Sequence, residues 1–176
     1  MLQAALNGDL TKGAHPALPL SVDELARDAV ACVAAGARAI HLHPRDGEGR
    51  ERLDADVVDE VVVRVREACG VPVGVSTGAW IEPNLERRLE LVGGWREPDY
   101  ASVNVSERGA PAVAEALAEA GIGVEAGVWT VEDAERLAAW PHHGGSSASS
   151  SSRSACAPVT RSRSWTPSTA HWTEMG

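Results

Sequence analysis

Hydrophobic positions along residues 1–140 repeat with two different periods. Short runs rich in apolar and β-branched residues predict strands at 2–7, 39–44, 71–77, 100–106 and 122–129. After each run, apolar residues recur about every 3.6 positions, which predicts helices. These helices are expected at 21–35, 54–69, 84–92, 111–120 and 130–140. The pattern therefore indicates five consecutive strand–helix units.

The helix predicted at 21–35 has the clearest boundary signals. Ser21 and Glu24 have the spacing of a capping box, and Gly36 supplies a stop. Gly70 ends the second helix in the same way, and Thr130 is a suitable cap for the fifth. The apolar face of the first helix is formed by Val22, Leu25, Ala26, Ala29, Val30 and Val33.

Regular alternation of strands and helices predicts parallel strands joined by right-handed crossovers. Such units build either an open doubly wound sheet or a closed barrel. The glycine motifs of nucleotide-binding open sheets, GxGxxG and GxxxxGK[ST], do not follow the first predicted strand. Polar residues instead concentrate toward the C-terminal ends of the strands, where barrels carry their active sites. They are Asn7, His41, His43, Ser76, Thr77, Asn104 and Glu125.

We therefore predict an α/β fold, an incomplete (β/α)8 TIM barrel of about five units, since a whole barrel takes about 250 residues. The periodic pattern stops near residue 141. Residues 141–176 are rich in Ser, Arg and Thr, and such a segment buries too little apolar surface to offset its chain entropy. We predict a partial barrel domain at 1–140 and a low-complexity tail at 141–176. The tail is either a natural flexible segment or, as we favour, the product of a shifted reading frame.

Composition limits the class of partner. A net charge of −9 argues against nucleic acid and anionic membranes, and leaves small molecules as the expected partners. The sequence contains no apolar stretch long enough to span a bilayer and does not open with a signal segment. Its three cysteines are widely spaced and form neither a disulfide framework nor a thiolate metal motif. A cytoplasmic location is the simplest expectation.

The motif His41-Leu42-His43-Pro44-Arg45-Asp46 carries the strongest chemical signal. Residues i and i+2 of a strand point to the same face, so the two imidazoles can bind one divalent metal, with zinc as first choice. The alternative is a pair of hydrogen-bonded histidines inside a barrel. Arg45 can hold a substrate carboxylate, or it can form a structural ion pair with Asp46.

Two further clusters have both functional and structural interpretations. Ser76, Thr77 and Gly78 can form an anion-binding nest at a strand end, or an ordinary turn with a hydroxyl cap. Asp9 can bind an amine or hydroxyl of a substrate, or belong to a tight turn built on Asn-Gly-Asp.

The last two predicted strands add candidates for a pocket wall. Ser102, Asn104 and Ser106 alternate onto one face. Glu125 and Trp129 fit the rim of an active site, although Glu125 can equally be a buried structural acid.

Taken together, these segments resemble the β-keto acid cleavage enzyme family, typified by 3-keto-5-aminohexanoate cleavage enzyme. The resemblance covers nearly all of residues 2–140 in order. It is carried by ALNGDLTKGAHPALPLSVDEL, AGARAIHLHPRDGEGRERL, VPVGVSTGAWI, PDYASVNVSERG and GVEAGVWTVEDAERL.

The resemblance implies a (β/α)8 barrel with a catalytic zinc ion. It also implies a reaction of a β-keto acid with acetyl-CoA that gives acetoacetate and a new CoA ester, in a homo-oligomeric full-length enzyme. By resemblance, His41 and His43 take two zinc-binding positions. The substrate-binding positions fall on Asp9, Ser76, Thr77, Gly78 and Asn104. The catalytic candidates, Arg45 and Glu125, rest on the residue patterns above and not on the resemblance.

One departure from the family limits this expectation. The family's glutamate zinc ligand, catalytic aspartate and nearby arginine come from later strands, and nothing after residue 140 matches those segments. We therefore expect the chain as given to be inactive and prone to aggregate through unpaired strand edges. The alternatives are a non-catalytic half-barrel module for binding or oligomerisation, and an HxH metal-dependent hydrolase. Hydrolases of that kind carry the pair on their first strand, so we rank that alternative last.

Overall fold

The computed structural model describes residues 2–11 and 13–140, so the tail predicted at 141–176 lies outside the described residues. In this part of the chain, five strands alternate with five helices. The strands are β1 (Gln3–Ala5), β2 (Ala39–Leu42), β3 (Val73–Ser76), β4 (Tyr100–Asn104) and β5 (Gly123–Gly127). The helices are α1 (Val22–Ala34), α2 (Ala55–Cys69), α3 (Leu85–Gly93), α4 (Ala110–Glu119) and α5 (Val131–Ala138).

All the described strands are parallel and lie in the order β1-β2-β3-β4-β5. Each helix connection therefore advances the sheet by one strand in the same direction. A doubly wound sheet reverses its strand order at a switch point, and this sheet has no reversal. The prediction of an incomplete (β/α)8 barrel with five units is confirmed.

Side chains alternate between a helix-covered face and an interior face of the sheet. In β4, Ala101 and Val103 are fully buried, whereas Tyr100, Ser102 and Asn104 between them are half-buried. The helix-covered face and the inward faces of α1, α2 and α4 form one apolar core. Its larger members include Leu25, Ile40, Leu42, Val58, Val61, Val62, Val65, Val73, Val75 and Leu117. This alternation directs the polar residues of the strands into the barrel interior.

The helix boundaries follow the predicted signals. The Ser21 side chain accepts a hydrogen bond from the Glu24 amide, and the Glu24 carboxylate accepts from the amides of Ser21 and Leu20 at 2.9 and 3.0 Å. These backbone hydrogen bonds lower the pKa of Glu24 to about 2. Gly70 ends α2 at φ 69°, and Thr130 forms a capping box with Asp133. None of the described helices is long and apolar enough to cross a bilayer.

Candidate metal and substrate site

His41 and His43 lie at the C-terminal end of β2 and face the barrel interior, because Leu42 between them is buried in the core. Their ring centroids are 5.4 Å apart and the rings are nearly perpendicular, at 79°. Burial, with a smaller electrostatic contribution from the neighbouring His43, lowers the pKa of His41 to about 4. Its Nδ1 atom is buried and has no hydrogen-bond partner among the described residues. His41 is therefore a neutral imidazole at pH 7, as a metal ligand must be.

The lowered pKa of His41 predicts that the protein loses stability in weak acid. The unfolded chain binds a proton at the ordinary histidine pKa of 6.5, whereas the folded chain binds it only near 4. Acidification across this window therefore favours the unfolded state, and the expected loss reaches at most about 3 kcal/mol. Denaturant unfolding of metal-free protein from pH 7 to pH 4 measures it.

A matched pair of variants isolates the contribution of His41. His41→Gln is expected to show a smaller loss of stability across this pH window than the wild type. His15→Gln, in the exposed β1–α1 loop, is expected to match the wild type. If His41→Gln and the wild type lose stability equally, the lowered pKa of His41 is not the cause of the loss of stability in acid.

The backbone of His43 is fixed by the side chain of Asn7, which is only 2% exposed. Asn7 Nδ2 donates to the His43 carbonyl at 2.9 Å, and the His43 amide donates to Asn7 Oδ1 at 2.8 Å. This pair of bonds continues the link between the first two strands beyond the last residue of β1. The strand predicted at 2–7 is shorter for this reason, because a side chain replaces the backbone ladder at its end.

The ring of His43 is held by Glu51 and Trp80. Its Nδ1 lies 3.2 Å from Glu51 Oε1, and its plane stacks on the Trp80 indole at a centroid distance of 6.1 Å. Glu51 also accepts from Arg45 at 3.2 Å and from Trp80 Nε1 at 2.8 Å. Burial alone raises the pKa of Glu51, but hydrogen bonds from His43 and Trp80 and the charge of Arg45 outweigh it, so the pKa is lowered. Glu51 is therefore an ionised carboxylate beside His43.

Arg45 connects two loops at the mouth of the barrel. Its side chain is 4% exposed and donates to the carbonyls of Gly8 and Leu10 at 2.8 Å and of Gly49 at 2.9 Å. Its carboxylate partner is Glu51 and not Asp46, which pairs instead with Arg50 at 3.0 Å. Through these contacts, Arg45 links the loop after β1 to the loop after β2 beside the histidine pair. Its predicted role in catalysis stays a prediction.

The Ser76-Thr77-Gly78 segment forms a tight turn after β3. Ser76 Oγ accepts from the Gly78 amide at 3.2 Å, and Thr77 Oγ1 donates to the Ser102 carbonyl at 2.7 Å. The Trp80 ring lies over Gly78 so closely that any side chain there would overlap it. Both hydroxyl residues are 2% exposed. The turn has the hydroxyl cap of the structural interpretation, and the anion-binding role stays a prediction.

Both polar atoms of the Asn104 side-chain amide are hydrogen-bonded. Its Nδ2 donates to Glu107 Oε1 at 2.8 Å, and its Oδ1 accepts from Trp129 Nε1 at 3.1 Å. Trp129 is 68% exposed and Trp80 is 52% exposed, so two indoles stand at the loop end of the strands. Asn104 is held in place at this end, which suits the pocket role predicted for it.

Glu125 and Asp9 are not joined to the histidine pair by any hydrogen bond or ion pair within the described residues. Glu125 Oε1 accepts from Gln3 Nε2 at 3.1 Å, and the same amide donates to Tyr100 Oη at 2.9 Å. Gln3 and Tyr100 are the first residues of their strands, so Glu125 turns toward the N-terminal end of the interior. Asp9 is exposed in the β1–α1 loop. Their predicted roles stay predictions.

His41 and His43 are the candidate metal ligands within the described part of the chain. Among the described residues, no group of three or more His, Cys, Asp or Glu side chains is arranged to hold a metal. The unpartnered buried nitrogen of His41 and the carboxylate on Nδ1 of His43 nevertheless fit a metal-binding pair, since ligating histidines commonly donate their second N–H to a carboxylate. His41 and His43 thus fit as two ligands of a zinc ion.

Comparison with known proteins identifies the family of this chain. The family model described as beta-keto acid cleavage enzyme matches residues 1–151. A 3-keto-5-aminohexanoate cleavage enzyme from Fusobacterium nucleatum is 38% identical over 92 residues, which are 51% of this chain and 34% of that protein. An enzyme of the same name from Acetoanaerobium sticklandii is 32% identical over 106 residues, or 59% of this chain and 38% of that protein.

A third relative has a different name. The 3,5-dioxohexanoate:acetyl-CoA acetone transferase of Paraburkholderia graminis is 29% identical over 96 residues, or 54% of this chain and 31% of that protein. The matched segments thus span only about a third of the length of each relative. The family model, in contrast, matches most of this chain, and its extent confirms the resemblance found in the sequence. This protein belongs to the β-keto acid cleavage enzyme family.

Proposed function

We propose that this chain carries part of the active site of a zinc-dependent acyltransferase. The reaction condenses a β-keto acid with acetyl-CoA and gives acetoacetate and a new CoA ester. The observation that carries the proposal is the pair of interior histidines at the end of β2, in a chain of this family. The names of the relatives support the substrate class, since 3-keto-5-aminohexanoate and 3,5-dioxohexanoate are both β-keto acids.

In this proposal His41 and His43 hold the zinc ion, which would supply a Lewis acid for the keto oxygen of the substrate. His41 contributes a neutral ring because its pKa is lowered to about 4. Asn7 fixes the backbone of His43 through the two bonds described above. Arg45 holds together the loops that surround the pair.

Three further predicted parts are proposed to act beside this pair at the mouth of the barrel, and Glu125 is proposed to act from deeper in the interior. The Ser76–Gly78 turn is proposed to bind the substrate carboxylate and keto group, and Asn104 to line the same pocket. Asp9 is exposed in a loop that Arg45 holds, which leaves it accessible to an amino group on the substrate. Glu125 is proposed as an interior carboxylate that accepts a proton, with Gln3 orienting one of its oxygens.

We further propose that the chain by itself does not turn over substrate. Two histidines bind zinc more weakly than the three protein ligands of a typical catalytic site. The described residues hold no third ligand in a suitable cluster. The reading-frame hypothesis for residues 141–176 concerns residues outside the described part, and sequencing of the DNA in all three frames tests it.

Zinc titration tests the histidine pair directly. We expect the chain to bind one equivalent of zinc, and His41→Ala/His43→Ala to bind it at least tenfold more weakly, because both nitrogen ligands are gone. His15→Ala, in an exposed loop, is the matched control and should bind as the wild type does. Competition with a chelating dye gives the affinities, and an assay for acetyl-CoA-dependent formation of acetoacetate gives the activity.

The outcomes separate the candidate functions. Zinc binding that survives loss of both histidines would refute the proposed site and favour the non-catalytic binding module. Turnover by the unaided chain would refute the proposal that it is inactive. A hydrolase is not favoured, because the histidine pair lies on β2, after a whole strand–helix unit.

A further inference from the structure

We infer that Glu51 is a positioning residue, which holds the His43 ring in the tautomer whose Nε2 is free to bind a metal. The inference rests on the proposed function and adds a residue that the sequence pattern does not reveal. Glu51 lies beyond the turn formed by Asp46–Arg50, where an antiparallel bridge pairs it with Arg45. The loop that follows β2 thus places the carboxylate of Glu51 beside the histidine pair.

The contact between Glu51 and His43 defines the location of the ring proton. His43 Nδ1 and Glu51 Oε1 are 3.2 Å apart, and their side chains are only 9% and 11% exposed. An ionised carboxylate can only accept a hydrogen bond, so Nδ1 must carry the proton. In a neutral imidazole, Nε2 then keeps its lone pair. A metal-binding histidine needs this arrangement, in which the nitrogen away from the carboxylate is unprotonated.

Glu51 is itself held from two sides, which gives it the rigidity that positioning needs. Arg45 donates to Oε1 at 3.2 Å, and Trp80 Nε1 donates to Oε2 at 2.8 Å. Arg45 is fixed in turn by backbone carbonyls of both neighbouring loops. The indole of Trp80 also stacks on the His43 ring, with planes 27° apart. The carboxylate therefore selects the flip of the ring that turns Nδ1 toward Glu51, while the stacked indole restrains the plane of the ring.

The two histidines differ in this respect. Nδ1 of His41 is buried with no hydrogen-bond partner among the described residues, whereas Nδ1 of His43 has its own carboxylate. Only one of the two rings is therefore oriented by a charged group. If Glu51 served only to neutralise Arg45, it would have no need to face His43 and Trp80 with separate oxygens.

The tautomer of His43 can be read without any metal. In protein labelled with ¹⁵N at histidine, the shifts of Nδ1 and Nε2 at a pH where the ring is neutral show which nitrogen carries the proton. We expect wild-type His43 to be protonated at Nδ1. Glu51→Met, which keeps the length of the side chain and removes the acceptor, should give a mixture of tautomers. Glu51→Gln keeps an oxygen acceptor and should restore most of the wild-type pattern.

Zinc affinity gives the second measurement. We expect Glu51→Met to weaken zinc binding by about 10–100-fold, as for other carboxylates behind a ligating histidine. Glu48→Gln is a matched control, because Glu48 lies in the same loop, is exposed and, within the described part of the chain, forms its ion pair with Arg50 alone. This control should bind zinc within about twofold of the wild type.

These measurements separate failure of the inference from failure of the proposed function. Wild-type protein that binds no zinc refutes the proposed function, while the tautomer still decides the role of Glu51. A wild-type His43 protonated at Nε2 overturns the inference even if Glu51→Met does not fold. Unchanged zinc affinity in a folded Glu51→Met protein overturns it as well.

Discussion

Replacing Gly74 by alanine is expected to destabilise the barrel by about 3 kcal/mol or more. Gly74 lies in the middle of β3, and the ring of Tyr100 crosses directly over it. A methyl group there would overlap three atoms of that ring. The ring cannot turn away freely, because the Tyr100 hydroxyl donates to the Ile40 carbonyl at 2.6 Å and accepts from Gln3 at 2.9 Å. Relief of the overlap would therefore break these bonds inside the barrel.

Burial raises the pKa of Tyr100, so its hydroxyl remains a donor through the physiological range. Denaturant unfolding of Gly74→Ala and the wild type gives the difference in free energy. Gly93→Ala is the matched control, since a methyl group at Gly93 in α3 meets nothing within 4 Å. It should be neutral or stabilising by up to about 1 kcal/mol. In a Tyr100→Ala background, Gly74→Ala should cost less than about 1 kcal/mol. A cost that stays the same there would show that the ring is not the cause.

The sequence determines most of the fold because its signals are local. Apolar periodicity located all ten described elements, and the caps at Ser21 and Thr130 form as predicted. Strand ends are less well predicted, since β1 stops at Ala5 and Asn7 continues the link to the next strand with its side chain. The hydrogen bonds of the Asn7 side chain depend on the position of His43, which is 36 residues away in sequence. A local sequence pattern therefore cannot predict them.

The site shows a similar division between local and distant signals. The histidine pair is visible because a strand places residues i and i+2 on one face. The role of Glu51 and the contact of Trp80 with His43 were not predicted, because each residue lies in a loop whose path is set by tertiary contacts. For Glu51 the one available signal was the turn-forming Asp46-Gly47 pair, which is compatible with a chain reversal after Arg45. Composition alone could not identify its partner.

Arg88 was also missed, and its neighbour Arg87 explains why. Two adjacent arginines on a predicted helix suggest an exposed polar face, yet Arg88 is 2% exposed. It donates to Glu107 at 3.0 Å and to the Arg108 carbonyl at 2.9 Å. Glu107 accepts in turn from the Ala79 amide and from Asn104. One buried cation thus connects α3 to the loops that follow β3 and β4, and through Asn104 to the C-terminal end of β4.

Replacing Arg88 by methionine is expected to cost about 3–5 kcal/mol, because it leaves the carboxylate of Glu107 without its cationic partner in a site with little water. Glu107 is only 17% exposed, so solvent does not replace that partner fully. Arg88→Lys should be intermediate, since an ammonium group reaches the carboxylate but cannot also bond the Arg108 carbonyl with a planar fork. Denaturant unfolding gives the free energies of all three proteins.

Two comparisons separate this ion pair from a general effect of charge on α3. Arg87→Met removes the neighbouring cation, whose partner Glu90 is 67% exposed, and should change stability by less than about 1 kcal/mol. Arg88→Met/Glu107→Gln removes both charges and should recover part of the loss, because no uncompensated carboxylate remains. If the double variant is as unstable as Arg88→Met, the loss comes from packing of the arginine stem rather than from the unpaired charge. Recovery would instead identify the unpaired carboxylate of Glu107 as the cause of the loss.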